Sequence, residues 1–244
     1  MMFVLWAALG VGGATVVGSL LGLPLRRMPQ SVSNLAVGGA GGMMLAAAVW
    51  GLIIPSLGEG SAGETLLTAC GVFFGAIFVG FFERFMPKLR FAAGEGGKDG
   101  SADGALTLLF AMAVHNFPEG LAVGVSLGSE NRAGAISVAL GIAIQNIPEG
   151  MAVIPPMLSA GISRRRAFAL ALFTGFVEVL GAFCGYRAIT FFSFLLPVLP
   201  PFAGGAMIYV VVREMIPTAS SEGKLGAYLF TVGVCAMLLF NLAV

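Results

Sequence analysis

The 244-residue chain predicts an all-α, polytopic membrane protein, and three observations carry that reading. It is 58% hydrophobic and only 10% charged, whereas a soluble domain is about one quarter charged. Its apolar residues gather into eight runs, each near the ~20 residues that a helix needs to cross a ~30 Å hydrocarbon core. Its basic residues cluster after alternate runs, as in chains that thread back and forth through a bilayer.

The runs lie at about 2–24, 33–57, 62–86, 104–129, 132–160, 166–190, 193–217 and 224–243, and become helices 1 to 8 of a single domain, 1–244. Helix 1 is not expected to be a cleaved leader, because nothing basic precedes it and Arg26 and Arg27 follow it. The stretch 88–104, "KLRFAAGEGGKDGSADG", is charged and glycine-rich and reads as a flexible loop between helices 3 and 4. Helices 4 and 5 are joined by the short turn "GSENRAG" and must run antiparallel. Pro118 and Pro148 lack an N–H, so they should leave the carbonyls of Val114 and Ile144 without helical partners and break helices 4 and 5 at mid-membrane.

Charge sets the orientation. Arg26, Arg27, Arg84, Lys88, Arg90, Lys98, Arg164, Arg165, Arg166, Arg213 and Lys224 fall at odd-to-even connections, leaving Arg132 and Arg187 for the other side. The positive-inside rule then places those connections in the cytoplasm and both termini outside a cell (plasma) membrane, the inner membrane of a bacterium. A net charge of +1 provides no basic field for nucleic acid. Cys70, Cys184 and Cys235 sit singly in apolar runs and are assigned to packing.

Of the twelve acids, Glu59, Glu64, Glu83, Glu95, Asp99, Asp103, Glu130 and Glu222 lie near helix ends or in loops. Glu119, Glu149 and Glu178 sit near the middles of helices 4, 5 and 6, and Glu214 lies toward the cytoplasmic end of helix 7. An ionisable group at mid-bilayer costs about 2.5–3.5 kcal/mol, so three at one depth imply a shared interior site. The bland alternative is a set of protonated carboxyls hydrogen-bonding between helices.

Two of those acids belong to a repeat. "VHNFPEGLAV" at 114–123 returns as "IQNIPEGMAV" at 144–153. His115 and Glu119 are four residues apart and share a helical face, with Asn116 one step round; Gln145, Asn146 and Glu149 take the same places on helix 5. On antiparallel helices the two motifs face each other about a pseudo-two-fold axis in the membrane plane, the inverted repeat of secondary transporters. One imidazole, carboxylates, amide oxygens and no thiolate suit a divalent cation such as Zn, Fe(II), Mn(II), Co or Cd. Met43 or Met44 of helix 2 offers a thioether or simply packs. Arg213 and Glu214 in "VVVREMIP" read as a cytoplasmic vestibule or as a helix-end ion pair.

With H-N-x-P-E-G on helix 4, x-N-x-P-E-G on helix 5, "FTGFVEVLGA" around Glu178 and "REMIP" on helix 7, the chain resembles the ZIP (Zrt- and Irt-like protein) family of divalent metal transporters, in its prokaryotic GufA-like branch. The resemblance implies import of metal by a homodimer, with no cofactor and no enzymatic activity, through a two-metal site between helices 4 and 5. It implies one metal on His115, Glu119, Glu149 and Met44, and a second near Asn116, Asn146 and Glu178 that shares Glu119 and Glu149, with Gln145 alongside. It also implies elevator-type sliding, for which the glycines of helices 1 and 2 are suited. The chain departs from many members by carrying Gln145 and Arg213 where they have histidine, and Asn146 where some have a carboxylate.

Other classes fit less well. Zinc hydrolases gather two or three histidines, and this chain has one. A divalent-cation-selective channel uses similar ligands and is distinguished by unsaturated current in place of saturable uptake. A crowded set of carboxylates away from water is costly to ionise, so a divalent ion entering the site displaces protons and its binding depends on pH.

Overall fold

The computed structural model describes residues 1–25, 28–92, 102–129, 131–159 and 161–243, and of these the side chains of 85–92, 102–111, Pro156 and Ala243 are not described. Arg26, Arg27, Glu95, Lys98, Asp99 and Glu130, which entered the charge argument, lie outside the described residues, as do residues 93–101 of the expected loop.

Every described regular element is helical. In chain order the long helices are α1 (Met2–Gly22), α2 (Gln30–Ser56), α3 (Ala62–Ala92), α4 (Ala102–Gly128), α5 (Arg132–Ser159), α6 (Arg164–Phe191), α7 (Leu199–Ser220) and α8 (Gly223–Ala243). All but α4 register as long and apolar enough to cross a membrane among the described residues. The bounds differ most from the sequence reading at α7 and α3. α7 starts at Leu199 instead of 193, because Pro200 and Pro201 fit the first turn of a helix, where no N–H is required. A short 3₁₀ turn, Ser193–Leu195, precedes it. α3 opens on a capping box, in which the Ser61 N–H donates to Glu64 Oε2 at 3.1 Å and the Glu64 N–H to Ser61 Oγ at 3.3 Å. Its helix then continues past 86 to Ala92.

The interruptions expected in helices 4 and 5 are not present: α4 and α5 run as helix through Pro118 and Pro148. Departure from α-geometry occurs instead on α2 and α7, at the π-helical segments Ala47–Ile53 and Val211–Met215, each ending two residues before a proline, Pro55 and Pro217. A proline withholds one donor and crowds the preceding turn. A widened i→i+5 turn absorbs that locally, and such bulges concentrate at functional sites.

The packing is reciprocal. α1 lies on α5 and α6, α4 on α6, α2 on α8, and α3 on α7. Small residues make these approaches close. A Cβ at Gly120 would collide with the backbone carbonyl of Glu178, and one at Gly150 with that of Thr15. The glycine of each P-E-G triplet is therefore a contact surface, pressing α4 onto α6 and α5 onto α1. The main apolar core runs between these groups and includes Met44, Leu52, Val123, Val138, Ile142 and Met215.

Candidate metal centre

Side chains of both motifs turn inward. Asn116, Glu119, Gln145, Asn146 and Glu178 are each at most 3% exposed, and His115 is 7% exposed. Glu149 is half-buried. One hydrogen-bonded group lies around Glu119 and Glu178. Gln145 Nε2 donates to Glu119 Oε1 at 3.3 Å, linking α5 to α4. Asn146 Nδ2 donates to Glu178 Oε1 at 2.5 Å, and Thr15 Oγ1 donates to Glu178 Oε2 at 3.1 Å, so this acid is held from α5 and from α1. Ser19 Oγ, one turn beyond Thr15, donates to the Thr15 and Gly150 carbonyls at 2.8 and 3.3 Å and fixes the α1–α5 crossing.

A second group lies toward the other end of the helices. His115 Nε2 is 3.1 Å from Glu214 Oε1 on α7. Glu83 of α3 joins them: one ligand atom from each of Glu83, His115 and Glu214 lies within 4.8 Å of the others. Tyr209 Oη donates to Glu83 Oε2 at 2.9 Å, and Arg213 Nε stands 4.0 Å from the same oxygen. A cavity of about 260 Å³ reaches this group and is lined by His115, Glu149, Glu214, Ser33, Asn34 and Met215 among others.

The donor inventory of the two groups is lopsided. Glu119 Oε2, Gln145 Oε1, Asn146 Oδ1, Glu149 Oε2 and Glu83 Oε1 are buried oxygens without a hydrogen-bond partner. All five can only accept unless a carboxyl is protonated, and buried acceptors are normally satisfied. A hard or borderline cation supplies what they lack, and the mixture of oxygens with one imidazole suits a divalent transition metal.

The structure thus brings together most of the residues singled out by sequence, in a different pairing. His115 meets Glu214 and Glu83; Glu119 meets Gln145; Glu178 meets Asn146. The pair Arg213 and Glu214 divides, one residue turned to Glu83 and the other to His115. Asn116 is buried, and Met44, 1% exposed, belongs to the apolar cluster that holds Ile142 and Met215. Sequence reasoning missed Glu83, which it placed among the helix-end acids, along with Tyr209 and Thr15. The signal for Glu83 was its place on an apolar helix, ahead of the charged, glycine-rich stretch 88–104. For Thr15 it was the i, i+4 spacing with Ser19, which marks one polar edge on an otherwise apolar helix.

The family model described as ZIP Zinc transporter matches residues 93–241. The chain is similar to the protein named zinc transporter GufA of Myxococcus xanthus, at 40% identity over 224 residues covering 89% of this chain and 88% of that one. It is 33% identical to the zinc transporter ZIPB of Bordetella bronchiseptica over 86% of this chain and 70% of that protein. With the zinc transporter ZupT of Chlorobium chlorochromatii it shares 32% identity, covering 91% and 90%. On these matches the chain belongs to the ZIP zinc transporter family.

Proposed function

We propose that the chain carries divalent transition-metal cations, zinc foremost, across the cell membrane into the cytoplasm. The observation that carries this reading is the set of buried, unpartnered acceptor oxygens contributed by Glu119, Gln145, Asn146, Glu149 and Glu83. In water such oxygens accept from solvent; inside a bilayer that partner is lost, and a cargo cation offsets the cost each time it passes.

In this reading all eight helices span, both termini are outside, residues 88–104 bridge helices 3 and 4 in the cytoplasm, and the protein works as a homodimer. His115, Glu119 and Glu149, with Met44 behind them, take one metal. Asn116, Asn146 and Glu178 take a second, with Gln145 at its edge and Glu119 and Glu149 shared. Glu83, Glu214 and Tyr209 then receive the ion on its way to the cytoplasm, with Arg213 as a fixed countercharge at the mouth. The packing supports elevator-type movement. α1, α4, α5 and α6 press on one another through glycine contacts, while α2 pairs with α8 and α3 with α7. The first group can slide as a body against the second, taking the motifs with it.

The test is metal-resolved uptake by purified protein in proteoliposomes with an imposed pH gradient. Saturable uptake of zinc is expected, competed by cadmium and slowed when the metal-loaded side is acidified, because protons and metal compete for the same carboxylates. A folded protein that moves none of zinc, iron, manganese, cobalt or cadmium would overturn the reading. A current that rises linearly with metal would make it a channel.

A further inference from the structure

A groove of about 560 Å³ runs between α1 and α6, and every residue that lines it is apolar or glycine. Leu172, Phe173 and Phe176 form its α6 wall and are each about half exposed. Glycines make its floor. A Cβ at Gly12 would strike the Gly175 carbonyl oxygen and one at Gly175 the Gly12 carbonyl oxygen, so the two helices meet there backbone to backbone. A Cβ at Gly13, also in the groove, would meet nothing within 4 Å. The space beside Gly13 is filled by no part of this chain.

Length and charge say what fills it. From Ala169 to Val179 the helix advances about 15 Å at 1.5 Å per residue, which is half of a ~30 Å hydrocarbon core and so the depth of one leaflet. A partner helix would cross both leaflets, whereas this groove stops halfway along α6. At its shallow end stand Arg164, Arg165 and Arg166, all exposed, and no described carboxylate pairs with them. Arg165 precedes Ala169 by four residues, Leu172 by seven and Phe176 by eleven, so it heads the same stripe of α6 that walls the groove.

We propose that this groove is a binding site for an anionic phospholipid, one acyl chain lying over Gly13 between α1 and α6 and the phosphate held by Arg165 with Arg164 and Arg166 beside it. Guanidinium groups suit a phosphate because they offer several donors in one plane, and a basic cluster where a helix enters the membrane attracts anionic headgroups. The seated chain covers the Gly12–Gly175 contact, three residues from Thr15 on α1 and from Glu178 on α6, whose side chains hydrogen-bond to each other. Bound lipid therefore steadies the α1–α6 pair. The site needs only that these two helices span a membrane, and it does not depend on the metal reading.

Two measurements on the full chain in detergent test it, and neither involves transport. In the first, phosphatidylglycerol raises the thermal midpoint by about 5 °C and phosphatidylcholine of the same acyl chains raises it less. Arg165→Gln removes the difference between the two lipids, and Gly13→Leu, whose added side chain starts in open space, removes the gain from both. In the second, Trp6 and Trp50, the chain's two tryptophans, are replaced by phenylalanine and Phe176→Trp puts a single indole in the groove. Phosphatidylglycerol brominated on its acyl chains then quenches that indole about twofold more strongly than brominated phosphatidylcholine at equal mole fraction, and Arg165→Gln makes the two equal. This second reading decides the matter if Gly13→Leu lowers the midpoint without lipid. Equal quenching by both lipids in the parent overturns the site, as does a phosphatidylglycerol gain that survives Gly13→Leu in a protein of parental lipid-free midpoint. A midpoint that climbs with protein concentration in place of lipid assigns the groove to a second copy of the chain and overturns it too.

Discussion

Asn146 Nδ2 donates a hydrogen bond of 2.5 Å to Glu178 Oε1, so the amide of the second motif acts as a donor to the acid of α6 while its own Oδ1 stays buried and unpartnered. Asn146→Asp removes that donor and sets two carboxyls side by side in a site with little solvent. A divalent ion bridges two carboxylates far better than it bridges one and an amide. The variant should bind more metal per protomer, or bind its weaker metal more tightly, and turnover should fall or stay level because a carrier must release its cargo. Isothermal titration of parent and variant checks this. Unchanged stoichiometry and affinity in a correctly folded variant would mean that Asn146 does not face a metal.

Glu149 lines the cavity that reaches His115, yet its Oε2 is buried without a partner, which places the acid between the two groups. Glu149→Ala should abolish uptake with insertion intact. His115→Ala should be milder, about a tenfold loss or ~1.4 kcal/mol, because Glu214, Glu83 and water remain to take the ion. Uptake of cadmium and zinc by the two variants decides it; near-parental transport by Glu149→Ala removes the shared site.

Glu83 is the acid that the structure adds beside His115 and Glu214. Glu83→Gln keeps the size and removes the charge, and should lower maximal uptake about tenfold. Tyr209→Phe deletes one charge-assisted hydrogen bond to the same oxygen and should cost less, about threefold. In both, metal bound at Glu119 and Glu149 should be unaltered by titration. If either variant loses that binding instead, Glu83 belongs to the central site.

Gly120 lets α4 meet the Glu178 backbone with no Cβ between them. Gly120→Val should separate α4 from α6 and destabilise the protein by about 1–3 kcal/mol. It should also move Glu178 away from Asn146. Thermal melting in detergent, with and without zinc, reads both effects: a lower midpoint and a smaller gain on adding metal. A parental midpoint would show that the contact is looser than its geometry indicates.

Much of this protein was legible in its amino acids, because a bilayer makes local demands. Each crossing must be apolar and about twenty residues long, so the long helices could be placed from sequence, with the largest misses at the end of α3 and the start of α7, and seven of the eight register as apolar enough to cross. An acid at mid-membrane is too costly to be incidental, so Glu119, Glu149 and Glu178 stood out one by one, and the repeat set them beside His115, Asn116, Gln145 and Asn146. Partnership was not legible. Periodicity shows which residues share a helix face but not where that face points, and the azimuth of a helix in a bundle is set by contacts between glycines far apart in sequence. Only the tertiary structure decided that His115 meets Glu214, that Tyr209 of α7 and Glu83 of α3 close that group across 126 residues of chain, and that Thr15 of α1 holds Glu178. It also moved the irregular turns from α4 and α5 to α2 and α7. A proline's missing N–H is a property of the residue, whereas the helix that yields to it is chosen by the packing around it.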